Sequence, residues 1–259
     1  MQNRFVISIL VWLVYIVIVM IGPKLQFGND PMSLSELTSR QFVVSLAVAM
    51  FFLFAAVVHF RWGLSVGLKK LKSTRSLIIL WPPALFIIGF FALGAIKGFP
   101  PLTAILFVGI NTLMVGIGEE LGFRGVLFSG ALSKFSVLGA IVFTTVVFGS
   151  VHALNGFLTG DFLGSSVQAV AAGMSGLWFI AILIRTGSII PGMIVHFLWD
   201  YGIFLMTASA DAVGEVGASA EPGVVFKIVG PLLFVTPLFI YGVWLLRGVS
   251  KTDKEDLLY

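Results

Sequence analysis

Long apolar runs alternate along the chain with short connections that carry most of the charged residues. The eight apolar runs cover residues 5–21, 42–60, 77–96, 102–118 and beyond, 137–153, 162–184, 189–207 and 228–246. A bilayer core is about 30 Å thick, and a helix of about 20 apolar residues crosses it. The pattern therefore predicts an all-α fold, a polytopic bundle of eight transmembrane helices that forms a single transmembrane domain over residues 1–259.

The composition agrees with a membrane bundle and excludes several other classes of protein. Hydrophobic residues make up 58% of the chain and charged residues 11%, with a mean hydropathy of +1.07. A soluble enzyme of this size could not bury so much apolar surface, and a disordered chain would be far more polar. The chain has no cysteine, which excludes disulfides, a thiolate nucleophile and cysteine-ligated metals.

The net charge of +4 reflects membrane topology rather than nucleic-acid binding, which we do not expect. If the N-terminus is cytoplasmic, only four of the 16 Lys and Arg residues lie in the outer connections: Lys24, Arg40, Lys97 and Lys227. Cytoplasmic loops carry the excess of basic residues in membrane proteins. We therefore expect both termini on the cytoplasmic side. The short loops, and the lack of eukaryotic targeting signals, favour a prokaryotic cytoplasmic membrane.

Six ionisable residues interrupt the apolar runs, and each is costly within a membrane, so each is a candidate for function. Three lie in the fourth run, one ends the fifth and two lie in the seventh: Glu119, Glu120, Arg124, His152, His196 and Asp200. The single amides Asn111 and Gln168 also lie in apolar runs, and we expect them to bond across helices.

Helical spacing assigns provisional roles to the acidic and basic side chains of the fourth run. Residues four apart share a helix face, whereas adjacent residues point about 100° apart. Glu120 and Arg124 are therefore expected to form a charge-balancing pair, and Glu119 is left to face a cavity. A site that contains both Glu119 and His152 requires the fourth helix to continue past Arg124 to about Leu132. Otherwise Glu119 and His152 would lie near opposite membrane faces.

The same spacing relates His196 to Asp200, whose carboxylate is placed to orient the imidazole. Phe148 lies one turn before His152 and is expected to wall the site or to fix the His152 ring, and Trp199 is expected to line the cavity. A carboxylate and two imidazoles can activate a water molecule directly. They can also hold a Zn²⁺ ion that does so, with His152, His196, Glu119 and Asp200 as the candidate ligands.

Three motifs in order carry a family resemblance. Glu-Glu-x-x-x-Arg at 119–124, Phe-x-x-x-His at 148–152 and His-x-x-x-Asp at 196–200 resemble the signature of the CAAX protease and bacteriocin-processing (CPBP, or Abi) family. The resemblance covers about residues 100–205. It implies an intramembrane endopeptidase of the type II CAAX prenyl endopeptidase kind, with a peptide or membrane-protein substrate and membrane lipid as partners. Some members of the family are linked to bacteriocin processing or immunity.

The resemblance also implies roles for individual residues. Glu119 and His152 would activate the attacking water, and His196 and Asp200 would form the oxyanion site or complete the water site. It leaves open whether the cofactor is a single divalent metal such as Zn²⁺ or none at all. The prenyl-protein branch has Asn at the last motif position, and Asp200 departs from it. A neutral amide donates a hydrogen bond to an oxyanion, but an ionised carboxylate does not. Asp200 thus suits a metal ligand, a second base or a protonated donor.

Two other functions remain open on the residues alone. A proton-coupled transporter could use the same Glu and His residues as a relay, although the chain shows no inverted repeat. A non-catalytic immunity or regulatory membrane protein could keep an enzyme-like scaffold.

Overall fold

A computed structural model describes residues 3–212, 223–251 and 253–258, and this part of the chain contains helices and connections but no β-strand. The first half comprises α1 Arg4–Phe27, α2 Leu34–Arg40, α3 Val44–His59, α4 Trp81–Lys97, α5 Leu102–Glu119 and α6 Phe128–Leu132. The second half comprises α7 Val137–His152, α8 Gly156–Thr159, α9 Phe162–Thr186, α10 Ile190–Ala212, α11 Val224–Leu245 and α12 Lys254–Leu258.

The helices confirm the predicted membrane bundle. Within the described ranges, seven helical segments are long and apolar enough to cross a membrane, and the bent pair α2–α3 makes up to eight. Their outward faces are apolar, as for Leu10 on α1, Leu106 on α5 and Leu233 on α11. Exposed leucines on long helices are what lipid contact requires. The side of the membrane on which the termini lie stays a prediction.

The second predicted span is bent, which the apolar pattern did not indicate. Helices α2 and α3 meet at 88°. The buried side chain of Asn111 on α5 holds the corner: its Oδ1 accepts the Val43 N–H at 3.0 Å, and its Nδ2 donates to the carbonyls of Thr38 and Gln41, both at 2.8 Å. The corner frees backbone groups from helical hydrogen bonds, and the amide satisfies three of them. This confirms the cross-helix role expected for Asn111.

The third span begins with a 3-10 segment, Thr74–Leu80, before α4. Pro82 and Pro83 follow within the first turn of α4. Proline lacks an N–H group and is tolerated in the first turn of a helix, where that N–H would have no helical partner. The α-helical ladder therefore starts at Trp81, four residues after the predicted start of the span.

The fourth span continues to Leu132 and is 31 residues long. This confirms the prediction that the fourth helix extends past Arg124. Between α5 and α6 it is a π-helix, Glu120–Leu127, with all eight residues buried. The expectation of a regular α-helix across this segment is therefore wrong in its hydrogen-bonding pattern. Short π segments inside α-helices occur frequently at functional sites, and this one begins at the residue after Glu119.

Glycines let the helices of the site approach closely. A Cβ atom on Gly116 of α5 would lie 2.6 Å from the backbone nitrogen of Phe197 on α10. A Cβ atom on Gly149 of α7 would lie 2.7 Å from the carbonyl oxygen of Ala169 on α9. Small residues at such crossings allow backbone-to-backbone packing in membranes. The crossings lie near the end of α5, the end of α7 and the middle of α10.

Candidate active site

The structure brings four of the predicted site residues together from three helices. The Oε2 atom of Glu119, the last residue of α5, lies 4.0 Å from Nε2 of His152, the last residue of α7. The same oxygen lies 3.6 Å from Nε2 of His196 on α10. One turn later on α10, Asp200 Oδ2 lies 3.5 Å from His196 Nε2. Two imidazole nitrogens and two carboxylate oxygens thus surround one small region.

Glu119 has no hydrogen-bond partner for the oxygen that faces this region. Its Oε2 atom is buried and unpartnered, although the side chain as a whole is 20% exposed. A buried carboxylate oxygen without a partner carries a large desolvation penalty. The position therefore favours a bound polar atom next to Glu119 Oε2.

His152 is held by the backbone of its own helix. Its Nδ1 lies 2.7 Å from the carbonyl oxygen of Phe148. A carbonyl oxygen only accepts, so Nδ1 carries the proton, and in the neutral ring Nε2 keeps its lone pair toward Glu119. The ring also makes an edge contact with the Phe148 ring, at 4.7 Å between centroids. Phe148 thus orients His152 through both its carbonyl and its ring.

His196 is oriented by Glu120 rather than by Asp200 alone, which differs from the prediction. Its Nδ1 donates to Glu120 Oε1 at 2.8 Å, and the ring stacks on Phe179 of α9 at 4.6 Å with 26° between the planes. This leaves Nε2 directed at Glu119 and Asp200. The Asp200 contact of 3.5 Å is longer than an ordinary hydrogen bond. Helical spacing favoured Asp200, but the cross-helix contact is the shorter one.

Glu120 also pairs with Arg124, as predicted. Arg124 Nη1 lies 3.1 Å from Glu120 Oε1, and both side chains are almost fully buried. None of the guanidinium nitrogens makes an aligned hydrogen bond, so charge attraction rather than a directed hydrogen bond holds the pair. The guanidinium lies over the Phe148 ring at 3.8 Å and near the Phe179 ring at 5.0 Å. Aromatic faces stabilise such a buried cation.

Two cavities reach the group of four residues from different sides. The larger is about 390 Å³ and lies among α7, α9, α10 and α11, with a mainly apolar wall that includes His152, His196, Trp199, Asp200 and Phe148. The smaller is about 50 Å³ and lies beside α1, where Tyr15, Glu119, His152 and Asn155 line it. His152 lines both cavities, whereas Glu119 lines only the smaller one.

The sequence offers His152, His196, Glu119 and Asp200 as possible ligands of a divalent metal. Among the described residues, no group of three or more His, Asp or Glu side chains is arranged to hold a metal ion. Glu120, the closest carboxylate to His196, is already engaged with Arg124. The described side chains therefore do not fit a preformed metal centre.

Sequence reasoning missed three parts of the site. It gave Glu120 a charge-balancing role but not the hydrogen bond to His196. It did not identify Phe179, one of 25 phenylalanines in the chain, or Tyr15 on α1, which lies outside the three motifs. No sequence signal separates Phe179 from packing residues. A tyrosine within an apolar helix is a weak signal that could have pointed to Tyr15.

Comparison with known proteins agrees with the motifs. Residues 101–202 match the family model described as Type II CAAX prenyl endopeptidase Rce1-like. The matched segment runs from just before α5 into α10 and contains all six ionisable residues of the predicted site. Comparisons with curated proteins and with solved structures find no match. The chain is thus an integral membrane protein whose residues 101–202 are similar to the Rce1-like family of type II CAAX prenyl endopeptidases.

Proposed function

We propose that the chain is an intramembrane endopeptidase that hydrolyses a peptide bond with a water molecule activated by Glu119 and His152. One observation carries this proposal: the buried Glu119 Oε2 atom has no hydrogen-bond partner and lies 4.0 Å from His152 Nε2. A carboxylate and an imidazole at this separation leave room for one atom between them. The family match supports the reaction class.

The dimensions of the gap suit a water molecule. A water oxygen about 2.8 Å from both Glu119 Oε2 and His152 Nε2 makes ordinary hydrogen bonds to each. With the two atoms 4.0 Å apart, the angle at the water is roughly 90°, which is within the range that water accepts. Both protein atoms act as acceptors, so both hydrogens of the water are engaged and a lone pair is left for attack.

The proton movements follow from these contacts. Glu119 accepts a proton from the water as its oxygen bonds to the carbonyl carbon of the peptide, which gives a tetrahedral intermediate with a negative oxygen. The proton then passes from Glu119, or through His152, to the peptide nitrogen. The C–N bond breaks, and the products are a carboxylic acid and an amine. General acid–base assistance of this kind contributes about 10²–10⁴-fold in rate.

His196 and Asp200 are assigned to the developing oxyanion. Three carboxyl groups and only one guanidinium meet in this low-dielectric region, so charge balance requires further protons on the group. We place one on His196, whose Nε2–H then points into the site, and one on the Asp200 carboxyl. Both groups then donate hydrogen bonds to the oxyanion. A protonated Asp200 can thus donate a hydrogen bond as the Asn of the prenyl-protein branch would.

The larger cavity is the proposed site for the peptide. Its volume of about 390 Å³ falls within the range of ordinary ligand pockets, and Gln168 and Ser175 supply polar groups on an otherwise mainly apolar wall. A peptide segment in this cavity would place its carbonyl group next to His152, His196 and Asp200. The smaller cavity beside Tyr15 provides a separate route for water.

We place this protease ahead of the transporter and the non-catalytic immunity or regulatory protein because the matched family is one of endopeptidases. The prokaryotic cytoplasmic membrane is part of the same proposal. It rests on the charge distribution of the sequence.

The test is hydrolysis by the purified full-length chain in liposomes, with a library of membrane-embedded and prenylated peptides and mass spectrometry of the products. We expect cleavage that persists after treatment with a strong chelator. Activity that is lost with the chelator and regained with Zn²⁺ would overturn the unaided water mechanism. Proton flux across the liposomes without cleavage would favour the transporter.

A further inference from the structure

A second apolar groove lies away from the candidate active site. It has a volume of about 570 Å³ and lies between the connection that follows α3 and the first turns of α10. Its apolar wall includes Leu71, Leu77, Leu80, Ile190 and Ile194. The volume is in the range of about 300–1,000 Å³ that is typical of ligand sites.

The groove opens toward lipid. Ile194 is 53% exposed, Ile190 is 48% exposed and Ile78, next to the groove, is 71% exposed. These side chains belong to or adjoin helices that are long enough to cross a membrane. Large apolar side chains can be this exposed on a membrane protein because acyl chains cover them.

The charged residues of the groove are both lysines. Lys69 and Lys70 line it together with the apolar residues, and the polar Thr74 and Ser188 complete the wall. The connection at residues 61–76 also contains Arg61, Lys72 and Arg75 and no acidic residue. The groove thus combines an apolar wall with two lysines from a connection that is rich in basic residues.

The polarity of α10 favours the same kind of ligand. The groove is lined by Ile190 and Pro191, which start this 23-residue helix, and by Ser188 just before it. The N-terminal end of a helix carries a partial positive charge. It adds to the two lysines rather than making a site by itself.

We propose that this groove binds one anionic phospholipid, with its phosphate near Lys69 and Lys70 and an acyl chain along Leu77, Leu80 and Ile194. Clusters of basic residues next to membrane helices attract anionic headgroups. The apolar wall then selects a lipid over a soluble phosphate.

The experiment is native mass spectrometry of the full-length chain in neutral detergent, titrated with phosphatidylglycerol or phosphatidylcholine of the same acyl chains. We expect one phosphatidylglycerol to bind at least several-fold more tightly than phosphatidylcholine. The K69Q/K70Q variant should lose this preference, with affinity for phosphatidylglycerol reduced by about tenfold. The matched control is R61Q/R75Q, which removes the same charge from the same connection without altering the groove and should keep the preference.

A third variant tests the apolar part of the site. Ile194→Trp should fill the groove and weaken phosphatidylglycerol binding while both lysines remain. Circular dichroism and gel filtration establish that each variant is folded. Equal effects of K69Q/K70Q and R61Q/R75Q would overturn the proposal in favour of diffuse charge. Full competition by glycerol phosphate, or unchanged binding in Ile194→Trp, would overturn it in favour of a soluble-phosphate or surface site.

Discussion

Glu120 connects the charge balance of the bundle to the orientation of the candidate site. One of its oxygens, Oε1, lies 2.8 Å from His196 Nδ1 and 3.1 Å from Arg124 Nη1. The Arg124 side chain in turn lies against Phe148, whose carbonyl holds His152. Both imidazoles are therefore positioned by residues that do not face the gap next to Glu119.

The first prediction compares two Glu–Arg pairs that have the same spacing. Arg124→Met should destabilise the fold by about 3–5 kcal/mol because it removes the buried guanidinium and leaves the buried group of side chains with one uncompensated negative charge. Arg40→Met removes the partner of Glu36 on α2, where the side chains are 59% and 45% exposed, and should cost less than about 1 kcal/mol. The measurement is the free energy of unfolding in mixed micelles. Equal costs for the two variants would show that the Arg124 pair is not structurally important.

The second prediction concerns the proton assigned to Asp200. Asp200→Asn keeps a hydrogen-bond donor at the oxyanion and should retain kcat within about tenfold. Asp200→Leu removes the donor and should lower kcat by about 10²–10³-fold, the usual cost of one oxyanion donor. Peptide hydrolysis by the two folded variants measures the difference. If Asp200→Asn is as inactive as Asp200→Leu, the ionised carboxylate is required and the donor role is wrong.

The sequence identified the residues of the site better than it identified their contacts. Glu119, His152, His196 and Asp200 stand out because ionisable groups are rare in apolar helices, and the structure brings all four together. The bond between Glu120 and His196 joins residues 76 positions apart. Helical spacing relates only residues on one helix, so it could not indicate that bond.

At the scale of the elements, the position of the site depends on how closely α5 and α10 cross. The π segment that follows α5 begins at Glu120, and Gly116 lies one turn before it. The small residue lets the α10 backbone approach, and His196 is adjacent to the contacting residue Phe197. The crossing thus sets the 3.6 Å separation between Glu119 and His196.

The third prediction tests this crossing with two Gly→Ala changes. Gly116→Ala should cost on the order of 1–3 kcal/mol, because the added Cβ would meet Phe197 backbone atoms and force the helices apart. Activity should fall as well. Gly89→Ala on α4 is the control, since nothing lies within 4 Å of the added Cβ and Ala is the better helix former. It should be neutral or stabilising. Thermal unfolding and hydrolysis rates of both variants provide the measurement, and equal behaviour would refute the close-packing account.

The pattern of apolar runs predicted the positions of the membrane spans. It did not predict the irregular segments within them. The fourth span reaches Leu132 as predicted, because its apolar character continues beyond the charged motif. The α2–α3 corner and the π segment have no counterpart in that pattern. The corner is bonded to Asn111, which contacts it from another helix, and all eight residues of the π segment are buried.

At the scale of the whole molecule, the predicted orientation assigns functions to the two membrane faces. The basic connection at 61–76, which contains the lysines of the apolar groove, would lie on the cytoplasmic side. Anionic lipid headgroups give that face a negative potential. The charge distribution that predicts topology is therefore the same one that favours the lipid site.

The fourth prediction tests this orientation directly, because a chain without cysteine allows cysteine labelling with no prior changes. Lys24→Cys and Lys97→Cys should react with a membrane-impermeant maleimide in intact cells. Lys70→Cys and Lys134→Cys should react only after lysis, since we expect them on the cytoplasmic side. Mass spectrometry of the labelled protein gives the readout. The opposite labelling pattern would show that the bundle has the opposite orientation in the membrane. Mixed labelling within either pair would contradict the count of eight spans.

The central claim is that Glu119 activates the water, and the most direct measurement is kcat for peptide hydrolysis by the Glu119→Gln variant in liposomes. Gln keeps the size of the side chain but cannot take a proton, so we predict a fall of about 10²–10⁴-fold in a protein that remains folded. Glu36→Gln, on the exposed face of α2, makes the same chemical change away from the site and should leave kcat unchanged. A folded Glu119→Gln variant with the kcat of the unmodified protein would contradict the account.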